Sequence, residues 1–132
     1  METLRVAREL LQRDAELQEV VQLVGPEGLQ DHERMVLEAG RAIREDFLQQ
    51  NANSPTDMRC GLLKQRAMLQ AILAFHQLAV EAVRRGAAAE KLIALPQREA
   101  LSRMKEVPEE EIEAYVERIQ QEYAAAVQQL AP

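Results

Sequence analysis

The stretch "LLKQRAMLQAILAFHQLAVEAVRRG", residues 62–86, decides the fold class. Leu62, Leu69, Ile72, Leu73, Val80 and Val83 recur at intervals of three and four or their sums, which places them along one side of a helix. Arg84 and Arg85 then precede Gly86, so the basic pair sits where a helix C-terminus favours positive charge, and glycine where the chain turns out of the helix.

The same period extends in both directions. Upstream, Leu4, Leu10, Leu11, Leu17, Val20, Val21 and Val24 predict one long helix, interrupted and bent near Asp14, that stops at Gly25-Pro26. After "GPEGLQ" a second helix opens near Asp31. Val36, Ala39, Gly40, Ile43 and Phe47 form its apolar face, and Glu38, Arg41 and Glu45 its solvated one. Downstream, "AAAEKLIALPQREALSRM" is broken by Pro96 into two short helices. A last helix starts at Pro108. Glu109, Glu110 and Glu111 face the positive end of its dipole, and Ile112, Tyr115, Val116, Ile119 and Tyr123 form its buried stripe.

No stretch reads as a strand and no repeat of fixed period appears. The expectation is an all-α, single-domain bundle of about five to six helices. Composition agrees with it: 47% of the 132 residues are hydrophobic but only 3% aromatic, with no Trp, so the apolar content is mostly Ala, Leu, Val and Ile. A chain of this length buries enough surface for one core. It begins in mid-pattern with "METLRVARELLQ", which reads as a domain of a longer chain.

A net charge of −6 and a pI near 5.0 argue against a nucleic-acid surface, which needs clustered Lys and Arg. A single cysteine, Cys60, forms no internal disulfide, and there is neither a signal peptide nor an apolar run of membrane-spanning length. A soluble, cytoplasmic protein without direct membrane insertion is expected.

Catalytic and metal chemistry finds little support. The glycines at 25, 28, 40, 61 and 86 form no phosphate-cradling loop. His32 and His76 stand far apart without partners at metal-ligand spacing, and His76 on its apolar stripe reads as a packed, hydrogen-bonded core histidine. Cys60 has no nearby His and reads as a small apolar residue. The Glu109–Glu111 run is accounted for by the helix dipole rather than by a cation. No catalytic and no metal-binding residue is assigned.

Three strings, "LLQRDAELQEVVQLVGPEGL" (10–29), "AIREDFLQQNA" (42–52) and "LPQREALSRMKEVPEEEIEAY" (95–115), resemble in order and interval the C-terminal helical domain of the catalytic A subunit of V-type and archaeal A-type rotary ATPases. The likeness covers nearly the whole chain, and "CGLLKQRAMLQAILAFH" (60–76) shares a skeleton with the family while diverging between its fixed points. The resemblance implies that a preceding nucleotide-binding domain carries the phosphate loop, the catalytic carboxylate and the magnesium site. The fragment would then be no enzyme, and ATP or ADP with magnesium would be bound by the full subunit. Its partners would be the other subunits of the rotary head and the central stalk.

Two sites follow from the same resemblance. "GPEGLQDHER" (25–34) corresponds in place to the acidic loop of related F-type β subunits, which implies a rotor contact through Glu27, Gln30, Asp31 and Glu33. A solvated turn with an N-cap at Asp31 is the competing reading. The "FLQQNA" corner faces the adenine end of the nucleotide in the family, which implies an adenine-side role for Gln50, Ala52 and Asn53. Asn53 stands where the family usually has Phe, and "NANSP" would also end any helix. A free-standing interaction module of common ancestry, without nucleotide contact, is the alternative to a motor domain.

Overall fold

The computed structural model describes residues 2–48 and 61–130, with the backbone alone at Leu48. In chain order it forms α1 (Glu2–Val24), a 3-10 turn (Pro26–Gly28), α2 (Asp31–Ala42) continued by a π-helical segment (Ile43–Leu48), α3 (Leu62–Arg84), α4 (Ala89–Ile93), α5 (Pro96–Ser102), a 3-10 turn (Arg103–Glu106) and α6 (Glu109–Leu130). Among the described residues no strand occurs, so the all-α expectation holds, with six α-helices.

Helix α3 is the centre. Its buried residues include Ala67, Ala71, Ala79 and Ala82 beside Met68, Leu69, Ile72, Leu73 and Phe75, so it is covered on more than one face. The alanines let neighbouring helices approach closely. The main neighbour is α6, and α2 packs on another side. Phe75 of α3 stacks flat on Tyr123 of α6, with ring centroids 4.3 Å apart and planes 4° from parallel. Met35 of α2, Leu92 of α4, Leu101 of α5, Met104 of the second 3-10 turn, and Ile112 and Ile119 of α6 complete this core. The end of α3 follows its sequence. Gly86 has φ 108°, and Ala87 N–H reaches the Ala82 carbonyl at 2.9 Å while Gly86 N–H reaches that of Val83 at 2.9 Å, which closes a Schellman turn.

Helix α1 is one continuous helix through Asp14, as expected, and Asp14, 2% exposed, faces α2. Two expectations need correction. Leu62, in the first turn of α3, stands at the edge of the bundle and is 82% exposed. Glu38, expected on the solvated face of α2, turns inward to meet two arginines.

The α1–α2 contact rests on Gly40. A Cβ at this position would come within 2.7 Å of the Asp14 Cβ and Oδ1, so only glycine lets the helices close over the carboxylate. Arg44 pairs with Asp14 from the π-helical segment, and Gln18 Nε2 donates to Asp14 Oδ2 at 2.9 Å. Gly40→Ala gains about 1 kcal/mol of helix propensity but overpacks this contact at a cost of about 1–3 kcal/mol and disturbs the buried carboxylate of Asp14. The expected net result is a lower melting temperature in thermal unfolding; a higher one would show that α1 can move aside without loss.

Candidate functional site

The tip of the bundle is built by a sharp reversal. Gly25 adopts φ 85°, Pro26 opens the 3-10 turn, and Gln30 N-caps α2 with its carbonyl taking the Arg34 N–H at 3.0 Å. The N-cap is therefore Gln30, one residue before the expected Asp31. Asp31 instead reaches across the fold, its Oδ2 accepting from Ala89 N–H at 3.4 Å at the start of α4. Glu33 accepts the Gln30 N–H at 2.9 Å and pairs with Arg13 of α1 at 3.3 Å. Both carboxylates thus fasten the turn to its own bundle.

That leaves Glu27 and Gln30 facing solvent. Beside them the end of α1 exposes Leu23 at 85% and Val24 at 62%. Periodicity alone counts Val24 among the apolar stripe of α1. In fact the last turn of α1 is left largely uncovered by the other described residues, with Gly28 of the 3-10 turn lying against the Val24 side chain.

Gln50, Ala52 and Asn53, with Cys60, lie outside the described residues. The chain on either side of them is anchored. Asp46, 3% exposed, accepts from Ser102 Oγ at 3.1 Å and lies 3.7 Å from Lys105 Nζ. On the other side Lys64, 8% exposed, donates Nζ to the Lys105 carbonyl at 2.8 Å. Gly61 abuts the Glu109 carboxylate, where a Cβ would collide.

A third cluster has no signature in the sequence. Arg98 of α5, buried at 7%, donates Nη1 to Tyr123 Oη at 3.2 Å and approaches Glu38 Oε1 to 3.6 Å with Nη2. Its guanidinium carbon also lies 5.8 Å from the Tyr123 ring centroid. Burial pushes the Glu38 carboxyl up, but hydrogen bonds and charge from Arg41 and Arg98 together hold it below its ordinary value. His76, on the same side of α3, is half-buried with Nδ1 unpartnered. Burial and then the Arg98 charge push its imidazole down to about 4, against a backbone hydrogen bond at Met35. The expected hydrogen-bonded core histidine is thus satisfied on one nitrogen only. Among the described residues no grouping of His, Cys, Asp and Glu could hold a metal ion.

The depressed His76 makes a signed prediction. The unfolded imidazole, near 6.5, binds a proton that the folded one refuses until about pH 4, so stability is lost as pH falls through this window. From pH 7 to pH 5 the loss from this group should be about 2 kcal/mol. In urea unfolding, His76→Gln should flatten the pH dependence by that amount; an unchanged slope would mean the imidazole is freely solvated.

Comparison with known proteins agrees with this architecture. Residues 1–93, more than half of the chain, match the family model described as the C-terminal domain of V and A type ATP synthase. The A subunit of the A-type ATP synthase of Methanococcus vannielii is 51% identical over 102 residues, 77% of this chain and 17% of that protein. The subunits of the same name from Methanopyrus kandleri and Methanosphaera stadtmanae are 46% and 49% identical over 113 residues, 86% of this chain and 19% of each relative. The chain belongs to the family of C-terminal domains of V and A type ATP synthases. It spans less than a fifth of the length of these relatives. No helix among the described residues is long and apolar enough to cross a membrane.

Proposed function

We propose that this chain serves as the C-terminal helical domain of the catalytic A subunit of a rotary V/A-type ATPase or ATP synthase and carries the closing of an ATP site to the rotating central stalk. The observation that carries the reading is that about half of the residues are identical to those of its A-type relatives over 77–86% of the chain. The tip is the output end. The Gly25–Arg34 turn is fastened to α1 and α4 through Glu33 and Asp31, so a displacement of the bundle reaches Leu23, Val24 and Glu27 without being absorbed in a loose loop. Gln50, Ala52 and Asn53 would form the adenine-side corner. ATP or ADP with magnesium would be held by the nucleotide-binding domain of the full subunit, and this chain contributes no residue to phosphate or metal chemistry. Its partners are the other head subunits and the stalk, at the cytoplasmic side of a membrane-associated complex that pumps protons or sodium ions.

A replacement experiment tests this. The corresponding domain of a related subunit is exchanged for this chain, and assembly of the head and its ATP hydrolysis are measured with and without the stalk. A motor domain restores assembly and stalk-sensitive hydrolysis. A free-standing interaction module would yield a head that fails to assemble or ignores the stalk. The isolated chain is expected to show no ATP hydrolysis above background.

A further inference from the structure

Helices α5 and α6 leave a groove of about 870 Å³ between them, with the Arg103–Glu106 turn at their junction. Its half-buried lining is apolar: Ala100, Val107 and the ring of Tyr115, whose hydroxyl donates to the Ala100 carbonyl at 2.6 Å and holds the ring across the cleft. Its exposed lining carries Glu106, Glu110 and Glu111. Both cations of the groove are already engaged. Arg103 Nη2 donates to Glu99 Oε1 at 2.8 Å, and the Arg118 guanidinium carbon lies 5.0 Å from the Tyr115 ring centroid. No ion pair among the described residues reaches Glu106, Glu110 or Glu111. The dipole of α6 answers Glu110 and Glu111 only in part, with about half an elementary charge at its N-terminus, and Glu106 precedes the helix.

The groove stands apart from the tip. Helix α6 begins where Glu109 abuts Gly61, just before α3, whereas the tip turn meets α4 just after α3 has ended. With 23 residues, α3 sets these two ends about 35 Å apart. An apolar floor beside three unpaired carboxylates suits a ligand that is itself apolar and carries positive charge along its flank. Nucleic acids and anionic lipid surfaces are repelled by such a rim. A compact multivalent cation satisfies the carboxylates but leaves Val107 and the Tyr115 ring in water. An extended peptide needs a sheet edge for its backbone, and no strand occurs among the described residues, whereas a helix brings its backbone hydrogen bonds with it. The α6 wall from Glu110 to Arg118 is about 12 Å long, enough for two turns of helix.

We infer that the α5–α6 groove is a docking site for a basic amphipathic helix of a partner protein, separate from the stalk contact proposed for the tip. An apolar side chain of that helix rests on Ala100, Val107 and the Tyr115 ring, and the Lys or Arg residues flanking it, one turn apart, meet Glu106, Glu110 and Glu111. The apolar contact supplies affinity, while the carboxylates set the association rate and the choice of partner.

The test uses the full subunit in its assembled head and a fluorescent peptide of about 15 residues built from Ala, Leu and Lys, with Leu on one helix face and Lys flanking it. Saturable binding is expected. Glu106→Gln, Glu110→Gln and Glu111→Gln together should raise the dissociation constant about tenfold or more. Glu19→Gln, Glu113→Gln and Glu117→Gln together remove the same charge from exposed positions outside the groove, and should leave binding within about twofold of the parent. Ala114→Arg, at an exposed position on the α6 wall, places a cation and a longer side chain in the groove with little loss of helix propensity. It should weaken binding about tenfold at an unchanged melting temperature. Spermine, which has the charge without the apolar face, should bind about tenfold more weakly than the peptide. Absence of binding, or equal weakening by the two triple variants, overturns the groove. So does unchanged binding in Ala114→Arg, which decides the matter even if the triple change in the groove unfolds α6. Spermine binding as tightly as the peptide overturns the helix as occupant and leaves only a site for cations.

Discussion

Arg98→Met is expected to destabilise the domain by about 2–4 kcal/mol at pH 7. The side chain is buried at 7%, spans from Glu38 on α2 to Tyr123 on α6, and has an unpartnered Nε. Methionine fills much of the volume but leaves Glu38, only 13% exposed at its side chain, with Arg41 as its remaining partner. Arg41→Met should cost less, about 1 kcal/mol, because that guanidinium is 36% exposed and water replaces part of what it loses.

The pH dependence separates this account from a simple packing defect. In the parent, Glu38 lies below its ordinary pKa, so its pairing stabilises the fold above that value and is lost as pH falls through the folded value. Without Arg98 the burial contribution, which raises the pKa, is less opposed, and protonation relieves a stranded charge. His76 acts in the same direction, since removing Arg98 removes part of what depresses it. The cost of Arg98→Met should therefore shrink as pH is lowered from 7 to 4, and Glu38→Gln should partly rescue it. Denaturant unfolding of both single variants and the double variant measures this. A cost independent of pH would reduce the cluster to packing.

The helical frame is legible in the residues alone. Leu69, Ile72, Leu73 and Ile112, Ile119, Tyr123 keep a helical period, and Gly86, Pro96 and Pro108 punctuate it, because local propensity and burial agree there. The buried charges are illegible for a physical reason. Asp14, Glu38 and Asp46 find partners 30, 60 and 56 residues away along the chain, in Arg44, Arg98 and Ser102, whereas periodicity assigns any charge to the solvent side. Asp14 reads as an interruption because the Gly40 it packs against carries no side chain to announce the contact. The π-helical segment is equally hidden, since Ile43 and Phe47 are spaced as an α-helix would space them. Resemblance implies a stalk-facing tip and an adenine-side corner, but it carries over the tip as an acidic loop. The fold directs two of its three carboxylates inward.

That redistribution changes what should happen when the tip is altered. If the tip presses on the stalk, covering Leu23 and Val24 would contribute about 1.5–3 kcal/mol each, whereas one exposed carboxylate contributes about 0–1 kcal/mol and is screened by salt. Leu23→Ser with Val24→Ser should therefore slow single-molecule rotation under viscous load severalfold while leaving hydrolysis without load near its parent rate. Glu27→Gln should change neither, beyond a salt-dependent shift in how the subunits associate. Neutralising Glu27, Asp31 and Glu33 together is a different experiment, because it releases Ala89 N–H and Arg13 from their carboxylate partners and loosens the mount of the turn. It should leave most hydrolysis intact but lower the melting temperature. Inserting glycines between Gly25 and Arg34 should reduce torque as well, since a flexible tip yields before the shaft turns. If Glu27→Gln stalls under load while the serine variant turns normally, the contact is electrostatic. If no variant differs from the parent, the turn carries no force and the apolar end of α1 is covered by something other than the stalk.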